Sequence, residues 1–151
     1  LNMNFTISEC LVDQHMTQVP VHVADKLVKY HFPILQPIRE AMGEPIYISK
    51  HSGYRSTQWE LDNGRDGSSQ HTFGDNIGDF IERDKHLGAL DLTAIDLQGL
   101  LNHLLESEYN RVCLYVKKGF IHCDFKGDDF SYFIDDGNGW EFQEKREWKQ
   151  P

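Results

Sequence analysis

Four short stretches hold residue types from which a hydrolytic centre can be built: His51-Ser-Gly-Tyr-Arg-Ser56, Ser69-Gln-His71, Gly88-Ala-Leu-Asp-Leu92 and Phe120-Ile-His-Cys-Asp124. Together they offer two histidines and one aspartate from separate elements, each among apolar or small residues. Three nitrogen or oxygen ligands, with a fourth position left to water, is how catalytic zinc is held. Such an ion lowers the pKa of its water and polarises a carbonyl, which is the chemistry of amide hydrolysis. Spacing alone does not assign this role, because a chain with eight histidines contains many comparable triplets. Taken singly, His71 reads as a loop or core histidine and His122 as a satisfied strand residue. Asp91 then reads as a cap of the segment that follows it. Arg55 reads as half of a surface ion pair of little energetic weight.

Other reactive residues fit worse. His15, His22, His31, His86 and His103 read as structural or surface groups, and His51 merely neighbours the arginine stretch. Cys123 follows His122, but adjacent strand residues face opposite sides, so the two are badly placed to share a proton. The same alternation puts His122 and Asp124 on one face. Asp62-Asn-Gly-Arg-Asp-Gly67 lacks the closing glutamate of a calcium loop and reads as a turn.

The elements that must position these residues follow from periodicity. Residues 20 to 42 carry an apolar stripe at three- and four-residue steps, through Ala24, Leu27, Val28, His31, Ile34, Leu35, Ile38, Ala41 and Met42. This predicts a helix starting near Pro20 and stopping at Gly43, with a kink or break at Pro33 or Pro37. Thr6 to Gln18 reads as an N-terminal arm with a small helix, Pro45–Ser49 as a short strand, and residues 60 to 70 as a loop. Leu97 to Glu106 is a second helix with five leucines on one face. Arg111–Val116 and Phe120–Phe125 flank Lys117-Lys118-Gly119 as a hairpin. Tyr132–Ile134 and Trp140–Phe142 flank a second turn at Asp135-Asp136-Gly137-Asn138-Gly139. Helices first and strands later predict a small α+β domain with N-terminal helices packed on an antiparallel sheet.

The composition, 39% hydrophobic and 26% charged over 151 residues, is that of one globular domain spanning 1–151. A formal net charge of −9, with only Lys117-Lys118 and Lys145-Arg146 adjacent, argues against nucleic acid as a partner. It equally disfavours simple electrostatic adhesion to an anionic surface, wall or membrane, so recognition of any such component must come from a pocket or from another protein. Three cysteines, Cys10, Cys113 and Cys123, without CxxC spacing, predict a reduced setting rather than a disulfide framework. Leu1-Asn2-Met3-Asn4 shows no signal-peptide pattern, and no apolar run approaches a membrane span.

From about Phe5 to Lys126 the chain resembles the M15 family of zinc peptidases, the D-Ala-D-Ala carboxypeptidase group also found in phage lysins. Five motifs agree in order: Leu35-Gln-Pro-Ile-Arg-Glu40, Ser52-Gly-Tyr-Arg-Ser56, Ser69-Gln-His71, Gly88-Ala-Leu-Asp91 and Phe120-Ile-His-Cys-Asp124. The resemblance implies a Hedgehog/DD-peptidase-like fold and one zinc per chain on His71, Asp91 and His122. It implies Arg55 as the grip on a substrate carboxylate, which a guanidinium fork matches. Ser69 and Gln70 are expected to line the pocket or brace the first ligand. Tyr54 is expected at the substrate or in the core. The family's aspartate usually follows the first histidine by seven residues, where Gly78 stands here. Asp79 comes one residue late and lacks the Gly-Ala lead-in, so Asp91 is taken as the ligand and Gly74–Leu87 as an inserted loop. Where several members carry an acid three residues before the last histidine, this chain has Gly119. Asp124 is the remaining candidate for the catalytic step, either orienting the metal water or tuning His122.

The implied activity is zinc-dependent hydrolysis of an amide in peptidoglycan stem peptides, as a D,D-carboxypeptidase or an endopeptidase. The expected setting is a monomer, cytoplasmic or phage-associated, with no membrane partner. The alternative is a weakly active or inactive zinc-binding module with a phage assembly or binding role, motivated by Gly119 and the insertion.

Overall fold

A computed structural model describes residues 3–11, 18–49 and 53–150. His15, His51 and Ser52, and the part of the N-terminal arm from 12 to 17, lie outside the described residues.

The first helical stripe forms a continuous rod from α1 (Val21–Lys26) to α2 (Phe32–Met42). Between them, Leu27–His31 makes one wider π turn in which the Phe32 N–H bonds to Leu27 O. The break expected at Pro33 is therefore a widened turn just ahead of it. A proline there supplies no N–H, and its ring crowds the preceding turn, so a longer hydrogen-bond step relieves both. Pro37 stays inside α2, and Gly43 closes it with φ +65°, its N–H on Arg39 O. The buried face carries Val23, Leu27, His31, Leu35 and Ile38.

A sheet of six strands has the order β1-β2-β4-β3-β5-β6, with β1 Tyr47–Ile48, β2 Ala89–Thr93, β3 Arg111–Tyr115, β4 Phe120–Asp124, β5 Ser131–Asp135 and β6 Trp140–Gln143. Both expected hairpins are present, β3–β4 and β5–β6. The sheet departs from the expected all-antiparallel arrangement in one pair: β5 runs parallel to β3. The outer edge of β4 is already taken by β2, so the chain leaving β4 adds to the free edge of β3 in the same direction as β3.

Strand alternation divides the sheet into two faces. Leu90, Leu92, Val112, Leu114, Ile121, Cys123 and Tyr132 are buried in the core, where α5 (Leu97–Leu105) adds the leucine stripe Leu97, Leu100, Leu101, Leu104 and Leu105. Asp96 caps α5, its carboxylate accepting from Gly99 N. The opposite face presents Asp91, Arg111, Tyr115, His122 and Asp124. Two short helices complete the fold, α3 (Thr57–Asp62) and α4 (Phe80–Asp84). No helix among the described residues is long and apolar enough to cross a membrane.

Candidate metal centre

Backbone placement comes first. The N-terminal arm runs past the arginine stretch closely enough that Tyr54 N donates to Cys10 O at 2.6 Å, and a Cβ on Gly53 would land on the Cys10 carbonyl. Only glycine permits that approach. Gly53 O in turn receives the Nδ1–H of His71 at 2.9 Å. A carbonyl can only accept, so His71 carries its proton on Nδ1 and turns a bare Nε2 inward. Ser69 starts the tight turn Gln70–Thr72, its hydroxyl accepting from His71 N at 3.2 Å, and Arg55 N bonds to His71 O at 2.9 Å. The first histidine is thus held at its main chain and at its ring.

Gly88 enters β2 with φ +86°, and a Cβ there would run into the Phe73 ring. β2 then brings Asp91 opposite His122 of β4. Asp91 Oδ1 lies 3.3 Å from His71 Nε2 and 2.9 Å from His122 Nδ1. The far nitrogen of His122, Nε2, bonds to Asp124 Oδ2 at 2.6 Å. All three ligand groups are buried, and their ligand atoms lie within 4.8 Å of one another. Neighbouring ligands of a tetrahedral ion with bonds of about 2.0–2.1 Å stand about 3.3 Å apart, so this donor set suits zinc, with two nitrogens, one oxygen and an open side. Each histidine keeps its other nitrogen on an acceptor, as metal-binding histidines do.

The electrostatics agree. Burial alone would raise the Asp91 carboxyl, but the His71 and His122 imidazoles hold it well below the usual carboxylate range. Burial lowers His71. Burial would lower His122 too, but the carboxylates of Asp124 and Asp91 outweigh it and raise the ring to about 9. A metal taken up at this site would displace a proton from His122.

Asp124 is fully buried and its oxygens are engaged. Besides His122 it receives Arg111 Nη2 at 2.6 Å, Arg111 Nε at 2.9 Å and Lys126 N at 2.9 Å. Of the two roles open to it from sequence, this geometry suits holding the imidazole rather than activating water. Asp79 does something else: it is exposed and caps α4, accepting from Glu82 N at 3.0 Å. Exposure and the capping role separate Asp79 from Asp91, which is buried between the two histidines.

The three ligands floor a cavity of about 520 Å³. Arg55, Ser69 and Gln70 line it as expected, and Arg55 Nη2 reaches Ser69 Oγ at 3.4 Å. Tyr54 does not line it: the ring is in the core and its hydroxyl donates to Asp75 Oδ2 at 2.9 Å. The segment Gly74–Leu87 also contributes nothing to the described lining. It carries α4 and packs on α1, where the Lys26 ammonium donates to Arg83 O at 2.8 Å.

Several pocket residues escaped the sequence reading. Arg65, Arg111 and Lys118 join Arg55 in the wall, and Tyr115 and Trp140 close one end. Behind Arg55 lies fully buried Glu60, whose Oε2 is 3.8 Å from Arg55 Nε and 3.2 Å from Arg65 Nη1. Arg111 had a readable signal: closing the β3–β4 hairpin about Lys117-Lys118-Gly119 sets Arg111 opposite Asp124. Glu60 and Trp140 had none.

Fold and site together define a hydrolase-type centre, a buried His/Asp/His donor set opening on a cationic cleft. A family model described as Peptidase M15 matches residues 3–124. The chain belongs to that peptidase family. The comparisons found no match to it among curated proteins or among solved structures.

Proposed function

We propose that the protein is a zinc-dependent peptidase that hydrolyses an amide bond in peptidoglycan stem peptides, as a D,D-carboxypeptidase or an endopeptidase. The observation that carries this reading is the cleft itself: His71, Asp91 and His122 on the floor and Arg55 on the wall. A chain of net charge −9 gathers four cations there, Arg55, Arg65, Arg111 and Lys118, while Asp91 is the one carboxylate in the described lining. That reversal of sign suits a substrate bearing carboxylates, as stem peptides do.

In this reading Arg55 binds a substrate carboxylate through its guanidinium, with buried Glu60 and Ser69 holding the fork in place. Binding at Arg55 lays the scissile amide over the metal floor and so supplies orientation before chemistry begins. The zinc would be held by His71 Nε2, Asp91 and His122 Nδ1, supplying an acidified water and polarising the carbonyl. Asp124 acts as a positioning residue for His122, fixing its tautomer and ring angle.

The test is zinc content per chain together with product analysis on muropeptides. About one zinc in the wild type, lost in His71→Ala, Asp91→Asn and His122→Ala but kept in Asp79→Asn, is expected. Turnover releasing a terminal residue, or splitting the stem, then names the bond. Zinc without turnover would leave a metal-binding module, and no zinc would overturn the reading.

A further inference from the structure

Beyond the metal floor, one end of the cleft is built from residues that the peptidase reading leaves unused. Tyr115 on β3 stands opposite Phe120, two residues along from Cys113, which stands opposite His122. By strand alternation it projects from the face that carries the metal ligands, and it lines the cavity. Its ring is stacked on Phe120 (4.5 Å between centroids, 27°) and lies edgewise to Trp140 (6.3 Å). Trp140 is itself fixed against the rings of His122 (5.3 Å) and Phe133 (5.2 Å), with the Arg111 guanidinium over it at 4.9 Å.

The Trp140 Nε1–H donates to Tyr115 Oη at 2.7 Å. An indole N–H can only donate, so the phenolic oxygen is the acceptor and its own proton must point elsewhere. Among the described residues none accepts that proton. Burial pushes the phenol up to about 12, so it keeps its proton at neutral pH. The result is a neutral, rotationally restricted O–H donor in a cleft otherwise rich in cations.

We propose that Tyr115, aimed by Trp140, donates a hydrogen bond to the carbonyl oxygen of the scissile amide as that oxygen gains negative charge. The proposal rests on the peptidase reading above. A fixed donor placed where charge develops needs no reorganisation during reaction, the condition under which such hydrogen bonds accelerate acyl transfer most. Tyr115 is then a catalytic residue and Trp140 its positioning residue. Trp140 lies on β6, beyond residue 124 where the Peptidase M15 match ends, so the β5–β6 hairpin adds a part of the site outside the matched segment.

The test compares zinc-loaded wild type with Tyr115→Phe, which keeps the ring and its stacking, and Trp140→Phe, which removes only the aiming donor and part of the ring. Zinc content and circular dichroism should match wild type. Tyr115→Phe should lower kcat on muropeptides about 10²- to 10³-fold with KM nearly unchanged. Trp140→Phe should lower kcat about 10-fold, and the double variant should be no worse than Tyr115→Phe alone. A phosphinate analogue of the dipeptide, tetrahedral where the amide is flat, should bind Tyr115→Phe at least about 10-fold more weakly by calorimetry. Equal kcat and equal phosphinate affinity in Tyr115→Phe and wild type would overturn the inference. If wild type turns nothing over, the peptidase reading fails first, and phosphinate binding alone decides: discrimination supports the donor, its absence overturns it.

Discussion

A histidine that ligates through one nitrogen must have the other anchored, and the two histidines here are anchored differently. His71 rests on a neutral carbonyl, Gly53 O, whereas His122 rests on the charged Asp124, which is clamped by Arg111. The charged anchor makes His122 the more basic ligand. Asp124→Asn is therefore expected to weaken zinc binding about 10- to 100-fold, read by competition with a chromophoric chelator. Unchanged affinity would show that Asp124 serves the fold alone. The same geometry sets a pH dependence. The metal-free His122 ring is raised to about 9, so below that pH zinc must expel a proton. Zinc affinity should rise by about tenfold per unit as pH climbs from 7 toward 9, with proton release measurable in weakly buffered solution. A flat profile would mean that the ring enters the complex already neutral.

At the scale of elements, stability and site geometry can be separated by where a substitution falls. Leu101 sits mid-stripe on α5 and is fully buried. Leu101→Ala should cost about 2–5 kcal/mol in denaturant unfolding while leaving zinc affinity intact, since α5 touches the sheet through its core face. Gly53→Ala should do the reverse in emphasis. Its Cβ meets the Cys10 carbonyl, so the backbone must shift, and with it the Gly53 carbonyl that orients His71. Loss of zinc affinity larger than the drop in Tm warrants is the expected sign; wild-type affinity would show that the main-chain bonds from Ser69 and Arg55 suffice to place His71. The hairpins illustrate what is local: turn residues set their existence, while the partner of each outer edge came from elsewhere. That is why β5 joined β3 in parallel although every local signal was for antiparallel pairing.

At the scale of the whole molecule, His31 ties the helical rod to the two segments that lead into β2 and β3 at one end of the sheet. Its Nδ1 meets Tyr109 Oη and its Nε2 meets Leu87 O, each at 2.8 Å, with Phe73 and Phe125 around the ring. Burial lowers its pKa to about 4, below the unfolded value near 6.5. The unfolded chain thus takes the proton first. The His31 contribution is complete above about pH 6.5 and drains away as pH falls toward 4, by roughly 3 kcal/mol. Urea unfolding of metal-free protein at pH 7 and pH 4.5 should show that loss, and His31→Asn should show a lower stability with a shallower slope over this window. An unchanged slope would assign the acid sensitivity to other groups.

What the sequence alone determined was local: the leucine face of α5 and the two hairpin turns, while His71, Asp91, His122 and Arg55 stood out as short motifs whose roles only the family resemblance implied. Each rests on side-chain type, period or short-range order, which the chain carries without folding. Tertiary structure alone decided which groups meet. Arg111 clamps Asp124 across a strand pair, Glu60 sits behind Arg55, Tyr54 leaves the cleft for the core, and Trp140 arrives from a later hairpin to aim Tyr115. It also decided that Gly74–Leu87 packs on α1, away from the cleft. Those outcomes depend on strand order and on how layers close over a shared core, and the energy that selects them is summed over contacts far apart in sequence.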